Sequence, residues 1–395
     1  MSKEYKKGDV LTVKIEKIVP RGLGISFTEG LTVFTSLAAI GDVAKVRLSD
    51  VKGRTAFAEV EEVLEASPDR IEAPCNYYGS CGGCDFQHLS YTAQLKAKVA
   101  MITDCIERIG KIELTDEIKV IGSPQEFGYR LRAQWHANSR SADLGFYRRN
   151  TRELISIESC PVLMPELNLE LDRLRHGLEW NTFFEEKVQI DAACGSDGAV
   201  SVYSPELIEP TNDINFRAAG EGFTFNARSF FQGNRFLVDA LIDAAVSGAT
   251  GDTALDLYCG VGLFSLPLAR KFKTVIGVEE NETAIDYANK NADAARLTNT
   301  TFYAAGVRRF LHAGEVKDAD FVLLDPPRAG TEKDTIHNVI ALRPDEISYV
   351  ACEPSVLARD LKRFVEKDYR IESITAIDLF PQTHHVETVV RLKRI

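Results

Sequence analysis

Residues 254–262 read Ala-Leu-Asp-Leu-Tyr-Cys-Gly-Val-Gly, and residues 275–279 read Val-Ile-Gly-Val-Glu. Each stretch is a short apolar run that ends in glycines or in an acid, and a helical pattern, Phe264–Arg270, follows the first. Further apolar runs of this kind occur towards the C-terminus, at Phe321–Leu324, Ser348–Ala351 and Val386–Leu392. Because apolar runs that alternate with helical stretches are typical of parallel sheets with crossover helices, an α/β fold is predicted here.

The turn after the first apolar run has the features of a nucleotide-binding site. Gly260 and Gly262 let the backbone approach a ligand closely. Glu279 lies 23 residues after Asp256, and an acid at about this spacing binds ribose hydroxyls in nucleotide folds. The two glycines lack the third glycine of the dinucleotide fingerprint. A tight strand-to-helix turn without a ligand is therefore the alternative interpretation.

Two residues near the C-terminus are candidates for covalent chemistry. Cys352 lies where an apolar run gives way to a helical pattern, and a helix N-terminus is expected to lower the pKa of a nearby thiol. The alternative is a buried cysteine that acts as a small apolar side chain. Glu387 enters the last apolar run, where desolvation is expected to raise its pKa and suit it to be a base. Its alternative is an ordinary acid at a strand edge.

A thiol and a base of this kind suit the methylation of a ring carbon. C5 of uracil is a poor nucleophile by itself. A thiolate that adds at C6 converts the ring to an enolate, and C5 can then attack a sulfonium methyl group. A base must next remove the C5 proton so that the thiol can leave, which divides one difficult step into easier ones.

The chain has eight cysteines, and four of them form a possible ligand set. Cys75, Cys81 and Cys84 lie close together in the sequence, and Cys160 precedes a proline. Metal binding or catalysis is a better expectation for an intracellular chain than a disulfide framework. The spacing is equally compatible with zinc and with an iron–sulfur cluster, and unliganded cysteines are the third possibility. The cysteines that fit no ligand pattern are expected to be structural, namely Cys105, Cys194 and Cys259.

The N-terminal segment and the charge distribution complete the picture. Apolar residues alternate with polar ones at Leu11, Val13 and Ile15, and glycine turns separate further short strands, which predicts a small β-barrel. The acidic stretch Glu59–Glu72 is interpreted as the exit from this barrel. Helices are predicted at Tyr91–Ile109, where apolar residues recur at steps of three and four, and at about residues 165–177. The net charge of −11 argues against a general polyanion binder, although six arginines between residues 130 and 152 could contact phosphates locally. No apolar run approaches the roughly 18 residues of a membrane span. The protein is expected to be soluble and cytoplasmic.

The motifs in this order resemble those of the RNA 5-methyluridine methyltransferase family. The resemblance covers nearly the whole chain and rests on residues 256–262, Asp325-Pro-Pro-Arg328, Cys352-x-Pro354 followed by Leu-Ala-Arg-Asp360, and His385-Val-Glu387. It implies a Rossmann-like S-adenosylmethionine methyltransferase domain, an N-terminal barrel of the OB-like, RNA-binding TRAM type, and a mixed α+β central domain. The predicted boundaries are 1–65 for the barrel, 66–220 for the central domain and 221–395 for the methyltransferase domain.

The resemblance also implies roles for individual residues. Cys352 is the expected nucleophile and Glu387 the proton acceptor. The cofactor, S-adenosylmethionine, is expected to contact Gln232, Asp256, Tyr258, Gly260, Gly262, Glu279 and Asp325. The cysteines Cys75, Cys81, Cys84 and Cys160 resemble the [4Fe–4S] ligands of the family. Glu353 follows the nucleophile where the family commonly has Asn, and a carboxylate there is expected to raise the thiol pKa. Leu263 also replaces a polar Asn of many members.

We therefore predict transfer of a methyl group from S-adenosylmethionine to C5 of a uridine in structured RNA, with the base flipped out of its stack. The partner is RNA, with large-subunit ribosomal RNA favoured over transfer RNA because of the barrel, and no protein or membrane partner is implied. Two further functions stay open. One is a non-catalytic RNA-binding or chaperone protein, which the presence of both Cys352 and Glu387 disfavours. The other is DNA cytosine C5 methylation, in which the nucleophile normally follows a proline directly.

Overall fold

The computed structural model describes residues 5–208 and 210–395, and the chain divides into two compact units. The first unit combines Met1–Asp104, Tyr147–Glu153 and Phe380–His385. The second unit contains Cys105–Phe146, Leu154–Leu379 and Val386–Ile395. The division into three domains stays a prediction, since the backbone contacts give two units that are interleaved along the sequence.

The first unit begins with a small barrel-like sheet of six strands. Its order is β1-β5-β6-β4-β3-β2, and all neighbours are antiparallel except β4 and β6. Alternate apolar residues such as Val33 and Val46 are fully buried and form its core. The predicted barrel is thus confirmed. The strands are β1 Val10–Lys14, β2 Lys17–Val19, β3 Leu23–Thr28, β4 Leu31–Ser36, β5 Val43–Lys52 and β6 Thr55–Glu65.

Strand β6 lies partly in a segment that the sequence analysis interpreted as an exit from the barrel. Its acidic residues point outward, whereas Ala56 and Ala58 are buried in the core. The alternation of a strand with one solvated face therefore explains the acidic composition. The interpretation of residues 59–65 as an exit segment was wrong for this reason.

The rest of the first unit is a cysteine-containing loop followed by helix α1 (Tyr91–Cys105). One face of α1, with Ala97 and Met101, packs with Phe86 and Leu89 in an apolar cluster that also contains Ile18 of the barrel. A π-helical turn, Ile106–Gly110, continues α1 at its C-terminal end. The helix predicted for Tyr91–Ile109 therefore spans both elements.

The second unit contains a five-stranded sheet and a separate hairpin. The sheet order is β10-β9-β8-β11-β12, and helix α2 (Pro165–Gly177) buries Leu167, Leu171 and Leu174. Helix α2 agrees with the helix predicted for residues 165–177. The strands of this sheet are β8 Arg132–Asn138, β9 Asp143–Tyr147, β10 Leu154–Ser156, β11 Lys187–Cys194 and β12 Val200–Tyr203. The hairpin consists of β13 Ile214–Ala218 and β14 Glu221–Phe225, and the preceding strand β7, Lys119–Ile121, belongs to a different sheet.

An eight-stranded sheet forms the rest of the second unit. Its strands are β15 Thr253–Leu257, β16 Thr274–Glu279, β17 Thr300–Ala304, β18 Phe321–Leu324, β19 Glu346–Ala351, β20 Tyr369–Ile377 and β21 Glu387–Arg394, with β7 at one edge. The order is β17-β16-β15-β18-β19-β21-β20-β7, and β21 runs antiparallel to both neighbours. The helices between the strands are α3 Val238–Val246, α4 Ser265–Ala269, α5 Glu282–Ala294, α6 Val307–Ala313, α7 Thr335–Ala341 and α8 Pro354–Val365.

This sheet is the predicted Rossmann-like α/β domain. Strands β15, β16, β17, β18 and β19 are mutually parallel, so their carboxyl ends meet at one edge of the sheet. Ligands bind outside the carboxyl ends of such strands. None of the helices in the described part of the chain is long and apolar enough to cross a membrane.

Candidate active site

The predicted catalytic and cofactor residues converge on the carboxyl edge of the eight-stranded sheet. Tyr258 follows β15, Glu279 ends β16, Asp325 follows β18 and Cys352 follows β19. Strand β21 runs in the opposite direction, so Glu387, its first residue, lies at this same edge. The pairing of Ala351 with Thr388 places the two catalytic candidates on adjacent strands.

Cys352 lies between the end of β19 and the start of α8 at Pro354. The thiol pKa is raised to about 12, mainly by burial and then by the charge of Glu387. The expectation that the helix N-terminus would lower this pKa was wrong, because desolvation penalises the thiolate more strongly. Glu353 was expected to raise the thiol pKa, but the carboxylate that raises it most is that of Glu387. The Glu353 carboxylate accepts a hydrogen bond from Oγ of Ser355 at 2.9 Å.

Arg328 is a functional candidate to which the sequence analysis gave no role beside the thiol. Its side chain lines the same small cavity as Cys352, and its charge lowers the thiol pKa against the larger opposing effects. The two prolines before it restrict the loop, and Gly330 closes the turn with a 2.7 Å bond from its N–H to the carbonyl of Pro327. A cavity of about 10 Å³ beside Cys352 and Arg328 has room for about one water molecule.

Glu387 has the environment that the sequence predicted for a base. Its side chain is almost fully buried, and burial raises its pKa well above the ordinary value of 4.5. The neighbouring charge of Asp325 raises this pKa further, whereas Arg328 lowers it. A carboxylate with a raised pKa accepts a proton more readily near neutral pH.

Three carboxylates form the centre of the predicted cofactor site. Asp256 and Asp325 each have a pKa raised to about 7, first by burial and then by neighbouring acids that include Glu279. Asp256 accepts a hydrogen bond from Oγ of Ser265, while its other oxygen is buried without a partner among the described residues. Gln232 donates a bond from Nε2 to Asp325 at 3.4 Å. A cationic ligand would therefore be attracted to these acids and would offset the repulsion between them.

The glycine turn after β15 has a backbone conformation with positive φ angles, which residues other than glycine rarely adopt. Tyr258 has φ of +68°, Gly260 of +53° and Gly262 of +89°. Glu279 holds this turn, since its carboxylate accepts bonds from the N–H of Gly260 at 3.2 Å and of Asn281 at 2.9 Å. The turn therefore brings backbone N–H groups to the carboxyl edge of the sheet, as the nucleotide-site interpretation requires.

A buried carboxylate connects the loop of Arg328 with the helix that follows Cys352. Asp360 in α8 is fully buried and accepts a 2.9 Å bond from the hydroxyl of Tyr349 in β19. It also accepts a 3.4 Å bond from Oγ1 of Thr331, and Nε of Arg359 pairs with it at 3.0 Å. The sequence gave no role to Asp360 beyond its place in a motif, because only the fold brings its partners together.

The four cysteines of the predicted cluster lie in different units. Cys75, Cys81 and Cys84 belong to the first unit and Cys160 to the second, and all four are half-buried and form no disulfide. Across the residues that the structure describes, no group of three or more His, Cys, Asp or Glu side chains is arranged to hold a metal ion. The four thiols are of the type that binds iron–sulfur clusters, and the [4Fe–4S] cluster stays a prediction. The three cysteines expected to be structural are buried.

Most arginines predicted to contact phosphates have partners within the protein. Arg132 donates to the carbonyls of Ser229 and Ala227, and burial lowers its pKa to about 10. Arg149 pairs with Asp85 at 2.7 Å. Others pair with glutamates at about 3 Å, namely Arg140 with Glu186 and Arg148 with Glu153. These side chains therefore have structural roles that the charge pattern alone did not reveal.

Comparisons with known proteins agree with this geometry. A family described as tRNA (Uracil-5-)-methyltransferase matches residues 206–395, and the TRAM domain matches residues 4–60. An uncharacterized RNA methyltransferase of Halalkalibacterium halodurans is 31% identical, with 98% of this chain and 97% of the relative covered. The 23S rRNA (uracil(1939)-C(5))-methyltransferase RlmD of Pseudomonas entomophila is 30% identical, with 95% and 92% covered. The chain belongs to the RNA uracil-5-methyltransferase family.

A solved structure supports the same assignment. The Pyrococcus abyssi tRNA (uracil-54, C5)-methyltransferase, crystallised with S-adenosyl-L-homocysteine, matches with a TM-score of 0.75 at 26% identity, over 97% of this chain and 100% of that one. The predicted fold class, the enzyme class and RNA as the partner are confirmed by the family and this fold. S-adenosylmethionine as the methyl donor is supported by the family and by the product bound in that structure.

Proposed function

We propose that this enzyme methylates C5 of a specific uridine in 23S ribosomal RNA through a covalent bond between Cys352 and C6. The observation that carries the proposal is the convergence of a thiol, a buried carboxylate and a guanidinium at one sheet edge. Ala351 pairs with Thr388, so Cys352 and Glu387 lie on adjacent strands, and Arg328 lines the same small cavity as Cys352.

Each group has one task in the proposed reaction. The sulfur of Cys352 forms a bond to C6 of uracil, which makes C5 nucleophilic, and Arg328 stabilises the thiolate that attacks. After C5 has gained the methyl group, Glu387 takes the C5 proton. The electrons of that C–H bond then restore the C5–C6 double bond, and the sulfur leaves as thiolate. The thiol, whose pKa is about 12 even with Arg328 beside it, is mostly protonated at neutral pH and must first lose its proton to solvent. Arg328 stabilises the small thiolate fraction that then attacks.

The three acids at the centre fit S-adenosylmethionine as methyl donor. When bound, this cofactor supplies a methyl group on a positively charged sulfonium. Asp256, Asp325 and Glu279 provide negative charge, and burial has already raised the pKa of the first two to about 7. A cation beside them would favour their ionised forms. Gln232, Tyr258 and the glycines Gly260 and Gly262 complete the proposed cofactor site.

Ribosomal RNA is the favoured substrate because the relative RlmD, whose name specifies 23S rRNA, aligns over 95% of this chain and the barrel is present. The specific observation that favours transfer RNA is the similarity to the Pyrococcus tRNA (uracil-54, C5)-methyltransferase. Methyl transfer should be measured with 23S rRNA and tRNA transcripts, and the product mapped as 5-methyluridine. Methylation of tRNA alone would select the second substrate, and no methylation of either RNA would contradict the proposal.

The iron–sulfur cluster is a separate proposal that rests on the chemistry of the four thiols. Cys75, Cys81, Cys84 and Cys160 form no disulfide, and thiolates are the usual ligands of iron–sulfur clusters. No step of the proposed methyl transfer passes through the cluster, because the reaction moves a methyl group and a proton without a change of oxidation state.

A further inference from the structure

A cavity of about 440 Å³ lies in the first unit, and every residue that lines it belongs to that unit. This volume is in the range of pockets that bind small molecules or single nucleotides. None of the described residues with a role in the proposed methyl transfer lines the cavity. The cavity thus needs an explanation of its own.

Two aromatic rings form one side of the cavity. Phe34 of β4 and Phe57 of β6 are directly opposite each other in the parallel pair, with ring centroids 5.5 Å apart and planes inclined by 25°. Both side chains are half-buried and neither belongs to the core of the barrel. Exposed aromatic rings on a barrel offer a surface on which a nucleic-acid base can stack.

A network of three paired side chains also lines the cavity. Asp85 pairs with Nη1 of Arg149 at 2.7 Å and with Nδ1 of His384 at 2.6 Å. All three residues line the cavity, so these groups already have partners within the protein.

Two charged groups at the cavity are left without partners in the described chain. They are the guanidinium of Arg21 and the carboxylate of Glu59. Asp50, which also lines the cavity and lies outside the network of Asp85, pairs with Lys52 at 2.9 Å. A guanidinium binds phosphate, and a carboxylate can only accept hydrogen bonds, so it prefers amino groups of a base. The exocyclic amino group of cytosine, adenine or guanine meets this requirement. Uracil has a single ring donor, N3–H, which lies between two carbonyl oxygens that a carboxylate repels.

We propose that this cavity binds one nucleotide of the RNA substrate whose base carries an exocyclic amino group. Its base stacks on Phe34 and Phe57, its amino group donates to Glu59, and a phosphate contacts Arg21. This nucleotide is not the target uridine, which lacks the amino group. The inference rests on the proposed function, because it assigns a second contact to the same RNA.

The test compares binding of short labelled oligocytidylate and oligouridylate of equal length to the full-length protein by fluorescence anisotropy. The wild-type protein should bind oligocytidylate more tightly. Phe34→Ala should weaken that binding by roughly tenfold or more, since one stacked base is lost. Glu59→Gln should remove the preference for cytosine by raising the affinity for oligouridylate, because the amide can donate to a carbonyl oxygen that the carboxylate repels.

Phe27→Ala is the matched control, because Phe27 is 57% exposed on the same barrel and lies outside the cavity. It should bind both oligonucleotides as the wild type does. Equal affinity of the wild type for the two oligonucleotides, or unchanged binding by Phe34→Ala, would overturn the proposal. These results are independent of methyl transfer, whose failure would appear as absence of 5-methyluridine while the binding contrast persisted.

Discussion

Arg328 lines the same small cavity as Cys352, on a loop that two prolines restrict. The guanidinium is the cation that lowers the pKa of this thiol, against burial and against Glu387. The fraction of reactive thiolate therefore depends on one arginine in a loop and on one carboxylate at the start of the neighbouring strand.

Replacing Arg328 should change the pH dependence of covalent bond formation. In Arg328→Gln the thiol pKa rises further, and the thiolate fraction at a fixed pH falls about tenfold for each unit of the rise. The rate of adduct formation with RNA that carries 5-fluorouridine should therefore rise with pH, and this rise should occur at higher pH values than in the wild type. Arg328→Lys keeps the charge and should lie between the two. Identical pH profiles for wild type and Arg328→Gln would show that the arginine does not act on the thiol.

Glu387→Gln should separate addition from proton removal. Glutamine cannot take the C5 proton, so the variant should add to and methylate ordinary RNA, then accumulate a protein–RNA adduct stable in a denaturing gel. Cys352→Ala should give neither adduct nor product. Removal of the carboxylate charge also favours the thiolate, so adduct formation should begin at lower pH than in the wild type. Turnover by Glu387→Gln at the wild-type rate would assign the base to another group.

The two glycines after β15 should respond differently to alanine. At Gly262, with φ of +89°, a Cβ atom would lie 2.9 Å from Cδ1 of Leu266, whereas at Gly260 nothing lies within 4 Å. Gly262→Ala should lower the free energy of unfolding by more than the roughly 1–2 kcal/mol of a left-handed alanine. Gly260→Ala should lower it less, yet weaken S-adenosylhomocysteine binding, because its Cβ enters the cofactor space. Calorimetry measures both quantities, and unchanged affinity in Gly260→Ala would remove this residue from the site.

Asp325 should make the folded protein less stable as the pH rises. Its pKa is raised from the ordinary 3.8 to about 7, so the folded state keeps a proton that the unfolded chain has lost. Through this group, stability is therefore highest below pH 4 and falls between pH 4 and 7. Asp325→Asn cannot ionise, and its Tm at neutral pH should exceed that of the wild type by roughly a few degrees. Parallel Tm curves across this range would contradict the raised pKa.

Protein purified without oxygen should contain iron and sulfide if the four thiols bind a cluster. The preparation should be brown, and Cys81→Ser should remove the colour. Cys259→Ser is the matched control, since Cys259 is buried in the second unit and belongs to no ligand pattern. Elemental analysis that finds zinc without iron would contradict the assignment.

The sequence predicted those helices and strands whose boundaries depend only on residues within or next to the element. The helix at residues 165–177 and the strand at Phe321–Leu324 have the predicted bounds, because apolar period and flanking residues determine them. Strand β6 was misinterpreted because its acids face solvent. Strand β20 was not identified, and a bulge between Ile371 and Ser373 interrupts its alternation.

The convergence of the predicted site residues at one sheet edge could be expected from the sequence, whereas their pKa values could not. Spacing and motif order indicated Cys352, Glu387 and the acids, since each lies at the end of a recognisable apolar run. The thiol pKa was wrong in direction because burial depends on packing that no local pattern records. The proximity of Arg328 to Cys352 brings together loops that follow different strands, so only the assembled sheet reveals it.

The interleaved course of the chain has a consequence for how such a protein can evolve. The first unit needs Arg149 and His384 to hold Asp85, and these residues are encoded far downstream of the barrel. A recombination event near residue 104 would transplant the barrel without the two later segments and leave the buried carboxylate unpaired. The unit is therefore expected to be inherited with the catalytic sheet, and its proposed RNA contact and the methyl-transfer site are expected to diverge together in related genes.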